Sequence, residues 1–228
     1  MKKNNFKLKD EIIILPNADK KEWHETWTKE SHGYDVLVHP FKAILSGRPN
    51  VGKSNTIINV FLRAQLSARP FDTLIVVQPS TSHEYDGLDA SLYLSDLPDD
   101  IEVLVNPEFK KTLIIIDDYD LTKLSKNKQK SLSMLFRYIS SHCNISIILS
   151  YQSFFDIPAM IRKCSDYFFL WKTNNKDEIN LISKRVGYDK IVFQNIFNNY
   201  ITKKYDFLVV DQKSDQPLRK KLYEIIEI

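Results

Sequence analysis

Residues Gly47-Arg48-Pro49-Asn50-Val51-Gly52-Lys53-Ser54 fit the pattern G-x-x-x-x-G-K-[ST]. No other stretch constrains the fold as tightly, because this loop works only between a strand and a helix. Its flanks comply. Residues 41–46 read as a short buried strand, and 55–66 carry Ile57, Ile58, Phe61, Leu62 and Leu66 near helical spacing. The chain holds only five glycines, and two of them stand in this octet. Glycine is used where the backbone turns tightly or approaches a ligand closely. The candidate nucleotide-binding run is therefore Gly47, Arg48, Pro49, Asn50, Val51, Gly52, Lys53, Ser54 and Asn55. Backbone N–H groups from Asn50 to Ser54 would cradle phosphates at the positive end of the helix. Lys53 would reach the β- and γ-phosphates, and the Ser54 hydroxyl would bind Mg²⁺. The motif specifies a nucleoside triphosphate, not its base.

A second acidic motif suits the same chemistry. Residues 111–116 form an apolar strand that ends at Asp117-Asp118. A carboxylate at the C-terminal end of a strand stands where ligands bind in parallel sheets. Asp117 is expected to hold Mg²⁺ opposite Ser54. Asp118 is expected to orient or deprotonate the attacking water, with Asp120 as a further carboxylate nearby. Strand alternation predicts that the two neighbours point to opposite faces. Gln152 follows the apolar strand 144–150 and is the expected γ-phosphate sensor, since an amide both donates and accepts.

The remaining pattern completes an α/β reading. Apolar runs at 72–78, 144–150 and 166–171 are strands, and 127–141 is a helix between two of them. Such alternation indicates a mainly parallel central sheet with helices on both faces, near the order 5-1-4-3-2. Further expectations are a strand at 101–105, little regular structure over 79–100, helices over 176–199 and a strand at 205–210. The domain reading is an N-terminal extension over 1–40, a P-loop ATPase domain over 41–212 and a tail helix over 213–228. The extension holds a strand candidate at 11–15 and the helically spaced Trp23 and Trp27, expected to cap the core.

Thirty-two basic and 29 acidic residues give a net charge of +3, so nucleic-acid contact must be local. Lys123, Lys126, Lys128 and Lys130 form the candidate cluster. Cys143 and Cys164 lack metal spacing and suit a reducing compartment. No apolar run reaches the length of a membrane span.

The octet also resembles that of Era-type GTPases. Those proteins need D-x-x-G, and none of the five glycines has Asp three residues before it. The guanine-reading N-K-x-D pattern of that family has one near match, Asn175-Lys176-Asp177-Glu178, with Glu in the last place.

The ordered set of Gly47–Ser54, Asp117-Asp118, the strand ending at Gln152, the segment Ile157-Pro158-Ala159-Met160-Ile161-Arg162 and the late strand 205–210 resembles the FtsK/HerA superfamily. Within it, the set is similar to the poxvirus-type DNA packaging ATPases of large DNA viruses and virophages. The resemblance spans about residues 40–212. It implies an ASCE-type, RecA-like ATPase using ATP and Mg²⁺. It also implies a homo-oligomeric ring, hexameric or pentameric, that drives double-stranded DNA through backbone contacts into a capsid. Partners would include capsid or portal-vertex proteins. The setting would be host cytoplasm or a viral factory, with association with the virion. A ring motor needs a cation from the neighbouring subunit at the γ-phosphate, and Arg137 and Arg162 are the candidates. The chain departs from the family in lacking a basic residue beside His142; Arg137 stands just over one turn earlier. An ATP-binding virion-assembly scaffold without motor activity is the alternative from another class.

Overall fold

The structure is a computed structural model that describes residues 36–79, 84–214 and 217–226. The strand candidate at 11–15 and both Trp23 and Trp27 lie outside the described residues.

Six strands run parallel: β1 (Lys42–Ser46), β2 (Thr73–Val77), β3 (Leu92–Leu94), β4 (Thr112–Asp117), β5 (Ile145–Tyr151) and β6 (Tyr167–Trp171). Three antiparallel strands extend the sheet: β7 (Phe207–Asp211), β8 (Leu218–Lys220) and β9 (Glu224–Ile225). The order is β3-β2-β4-β5-β1-β6-β7-β8-β9. Read from β6 to β2, the central five give the expected 5-1-4-3-2 arrangement, with β5 between the P-loop strand and the acidic strand.

The helices are α1 (Lys53–Gln65), α2 (Lys126–Met134), α3 (Ala159–Cys164), α4 (Lys176–Val186) and α5 (Lys190–Tyr200). Helix α2 continues through a π-helical turn, Leu135–Ile139, and a last turn, Ser140–His142. The central strands read as unbroken apolar runs because both sheet faces are covered. Along β4, Ile114 and Ile116 pack with Leu132, Phe136 and Ile179 on one face. Leu113 and Ile115 pack with Ile57, Val60 and Phe61 of α1 on the other.

Three expectations are corrected. Residues 101–105 form not a strand but a 3₁₀ helix, Ile101–Leu104, whose first turn Asp100 caps by accepting from the Glu102 N–H at 3.0 Å. Ile101 and Leu104, three apart, are its buried residues, a spacing that the apparent alternation concealed. The polar stretch 79–100 contains β3, too short to show a period. The tail over 213–228 carries β8 and β9 rather than a helix. Its residues are good helix formers, but the open edge of β7 captures them: Leu218 is fully buried, and Arg219 bonds Asp211 Oδ2 at 3.2 Å and the Val36 carbonyl at 3.1 Å. Pairing of this kind overrides local propensity.

Candidate nucleotide-binding site

Strand β1 delivers the chain to Gly47, whose N–H donates to the Tyr151 carbonyl at 3.2 Å and so ties the loop's mouth to β5. Gly47 is required by space: a Cβ there would stand 2.8 Å from the Cβ of Trp171. Asn50 (φ 60°) and Gly52 (φ 98°) take left-handed backbone conformations, which curl the loop back onto α1. Helix α1 starts at Lys53 with no side-chain cap and no acidic residue in its first turn. Its leading N–H groups and positive dipole end thus stand ready for an anion. The Lys53 ammonium is buried and donates to the carbonyls of Gly47 (2.7 Å) and Arg48 (3.2 Å). Burial lowers its pKa, against the attraction of Asp118, Asp117 and Glu84.

Asp117 ends β4 at 2 % exposure. Its Oδ2 accepts from the Tyr85 hydroxyl at 2.6 Å, while Oδ1 is buried without a hydrogen-bond partner. Burial pushes the carboxyl above its usual range; the Ser150 hydroxyl, close by but outside hydrogen-bonding geometry, and the Tyr85 hydroxyl pull it back, and Asp118 and Glu84 push it up again. A buried carboxylate oxygen left without a donor calls for a cation or ordered water. The donor set fits Mg²⁺, which takes one or two carboxylates and completes its shell with phosphates and water. Ser54 and Asp117 line one cavity of about 460 Å³ together with Asn50, Lys53, Asp118 and Glu84.

Asp118 departs from the expected alternation. Strand pairing ends at Asp117, and Asp118 takes φ 48° while its N–H donates to the Ser150 carbonyl at 3.3 Å. This left-handed step turns the chain, so both carboxylates line the same cavity. Asp120 does not share it: its carboxylate accepts from the Thr122 hydroxyl at 2.6 Å, pairs with Lys123 at 3.0 Å and accepts from the Thr122 N–H at 3.0 Å, which together hold its pKa at about 2.

Two residues escaped sequence reasoning. Tyr85 is buried, and its hydroxyl interacts with both Asp117 and Ser54, spanning the candidate metal-binding groups. Glu84 stands beside it at the cavity wall. Both come from the polar stretch after β2, where no periodicity marks them.

The other predicted residues stand elsewhere. Gln152 lies just past β5 on the opposite flank of the loop, in a cavity of about 340 Å³ shared with Ser46, Gly47, Arg48 and Pro49. The Arg162 Nη1 donates to the carbonyls of Phe154 (3.1 Å), Phe155 (2.9 Å) and Ile157, and so braces the loop between β5 and α3. Arg137 is exposed within the π-helical turn. Neither arginine lines the cavity that holds Asp117 and Asp118. Within the lysine cluster, Lys128 pairs with Asp96 and Lys123 with Asp120, while Lys126 and Lys130 are exposed. In the guanine-type near match, the Asn175 side chain caps α4, and Glu178 turns inward to accept from Phe154 N–H at 2.5 Å and Thr173 Oγ1 at 2.6 Å. That segment is occupied in starting a helix. Among the described residues, no helix is long and apolar enough to cross a membrane.

Neither the comparison with family models nor that with curated proteins finds a match for this sequence. Solved structures do match. The genome packaging NTPase B204 from Sulfolobus turreted icosahedral virus 2, in complex with ATP-γS, has a TM-score of 0.60 at 19% identity, covering 82% of this chain and 98% of that one. The cytoplasmic domain of the Thermomonospora curvata type VII secretion ATPase EccC has a TM-score of 0.57 at 10% identity, covering 81% of this chain and 25% of that one. The pCW3 conjugation coupling protein TcpA with ATPγS gives 0.55 at 11% identity, covering 83% and 61%. The chain shares the fold of these three proteins.

Proposed function

We propose that this chain is an ATPase that drives double-stranded DNA into a viral capsid as a subunit of a homo-oligomeric ring. The observation that carries the catalytic part is the convergence of Lys53, Ser54, Asp117 and Asp118 on one cavity at an uncapped helix start. The packaging part rests on the fold shared with a genome packaging NTPase over nearly its whole length and on the ordered motifs of the sequence.

The residues divide the work as follows. The loop from Gly47 to Asn55 grips the phosphates of ATP, and Lys53 moves from its own carbonyls to the β- and γ-oxygens. Ser54 and Asp117 would hold Mg²⁺, and the bound ion would supply charge to neutralise the phosphates. Asp118, exposed and facing the same cavity, orients the water that attacks the γ-phosphorus and accepts its proton as the bond to ADP breaks. Gln152, which lines a cavity with Gly47, Arg48 and Pro49, serves as the γ-phosphate sensor. Arg162 is committed to its own chain's carbonyls, so Arg137 is the better placed of the two to serve a neighbouring subunit. Lys126 and Lys130 supply sequence-independent contacts to DNA phosphates. Capsid or portal-vertex proteins would receive the ring in the cytoplasm or a viral factory.

The test is turnover with and without duplex DNA. ATP hydrolysis should rise on adding DNA and vanish in Lys53→Ala. Preference for GTP, or hydrolysis indifferent to DNA, would overturn the motor reading.

A further inference from the structure

A second cavity, of about 470 Å³, adjoins the one that holds the carboxylates, and Gly52, Asn55 and Tyr205 line both. The two are therefore ends of one trough running over the start of α1. Asp117 and Asp118 stand at one end and fix where the terminal phosphate and its cation belong. The trough offers what the triphosphate carries a way out at its other end, past Asn55 and Tyr205.

That end is built for a flat heteroaromatic ring. Tyr205, just before β7, is 60% exposed, and Tyr223, between β8 and β9, is 48% exposed; both line the cavity. Tyr223 is held by Arg63, which lines the same cavity, donates to its hydroxyl at 2.8 Å and lies 4.9 Å from its ring centre. Lys204 stands 5.1 Å from the Tyr205 ring centre. On the same cavity wall, α1 presents Asn55 and Asn59 one turn apart; Asn59 Nδ2 donates to the Asn55 carbonyl at 2.8 Å, which orients its amide oxygen the other way. An Asn amide offers a donor beside an acceptor, the pattern that adenine displays on its N6/N7 edge.

We infer that this cavity binds the purine nucleoside part of the substrate, with Tyr205 stacking on the base and Asn55 and Asn59 reading its edge. The inference rests on the reading of Gly47–Asn55 as a triphosphate site. It gives the β8–β9 hairpin, which sequence reasoning took for a tail helix, a part in the ligand site.

Isothermal titration of the full chain with ATP and with inorganic tripolyphosphate separates the two. Tripolyphosphate engages only the loop; ATP engages both cavities. Tyr205→Ala should weaken ATP binding by roughly 5- to 150-fold, the span of one base–aromatic stack. Its tripolyphosphate affinity should stay unchanged, and Tyr205→Phe should restore ATP binding. Lys53→Ala should lose both ligands. Unchanged ATP affinity in Tyr205→Ala, or equal losses for ATP and tripolyphosphate, would overturn the nucleoside site while leaving the loop's role standing. Failure of the unaltered chain to bind either ligand would overturn the triphosphate reading and this inference with it.

Discussion

Tyr85→Phe removes a single hydroxyl from the centre of the site. The phenol donates to Asp117 Oδ2 at 2.6 Å, and its partner is 2% exposed. Burial and the charge of Asp117 push the Tyr85 pKa upward, so it remains a donor across the working range. A hydrogen bond to a charged group contributes about 1.5–3 kcal/mol, and its loss leaves a buried carboxylate still less satisfied, since Oδ1 already lacks a partner. The pH dependence follows from Asp117. Its folded carboxyl already lies above its ordinary value, and the Tyr85 bond lowers it. Removing that bond raises it further. A carboxyl raised in the folded state costs stability as pH climbs from the unfolded pKa through the folded one. The deficit of Tyr85→Phe should therefore be about 1.5–3 kcal/mol at neutral pH. It should shrink near the ordinary carboxylate pKa of about 4, where Asp117 is protonated. Urea denaturation at both pH values, with the m-value held constant, measures this. A neutral-pH loss under about 0.5 kcal/mol, within the range of an ordinary surface change, would refute the reasoning. So would a loss of the same size at both pH values.

Two further outcomes concern catalysis. Asp118→Asn keeps the size of the side chain and should retain ATP affinity while losing about 10²–10⁴-fold in turnover, the usual contribution of a general base; single-turnover hydrolysis beside equilibrium binding reads both. Subunits carrying Arg137→Ala mixed with subunits carrying Lys53→Ala should regain part of the activity that each lacks alone. The same mixture made with Arg162→Ala should regain none, because that guanidinium is held by carbonyls of its own loop. Recovery with Arg162→Ala and none with Arg137→Ala would reverse the assignment.

The central sheet was legible in the residues because its strands are buried on both faces. Runs such as Leu113-Ile114-Ile115-Ile116 admit few other roles once bounded by turn formers. The P-loop was legible because its chemistry resides in consecutive residues. Reading failed where partners distant in the chain decide the outcome. Leu218 enters a strand only because β7 offers an open edge, and Tyr85 becomes a site residue only because folding brings it to Asp117, 32 residues away. Arg162 could be found from its motif, but its commitment to the Phe154, Phe155 and Ile157 carbonyls depends on how that loop closes around it. The position of Asp118 was misjudged for a related reason. Period-2 alternation holds within a strand, and the strand stops one residue earlier.

The backbone at Asp118 also limits which side chain can stand there. At φ 48° it occupies a region that disfavours most L-residues by about 1–2 kcal/mol and that Asp and Asn tolerate best. A glutamate would reach one methylene farther into the cavity, yet it would bear more of that conformational cost. Length of the acid and ease of the main chain are therefore opposed at residue 118. Substitutions that lengthen the acid become acceptable only together with a change that lets β4 run one residue further, so the two traits are expected to vary as a pair.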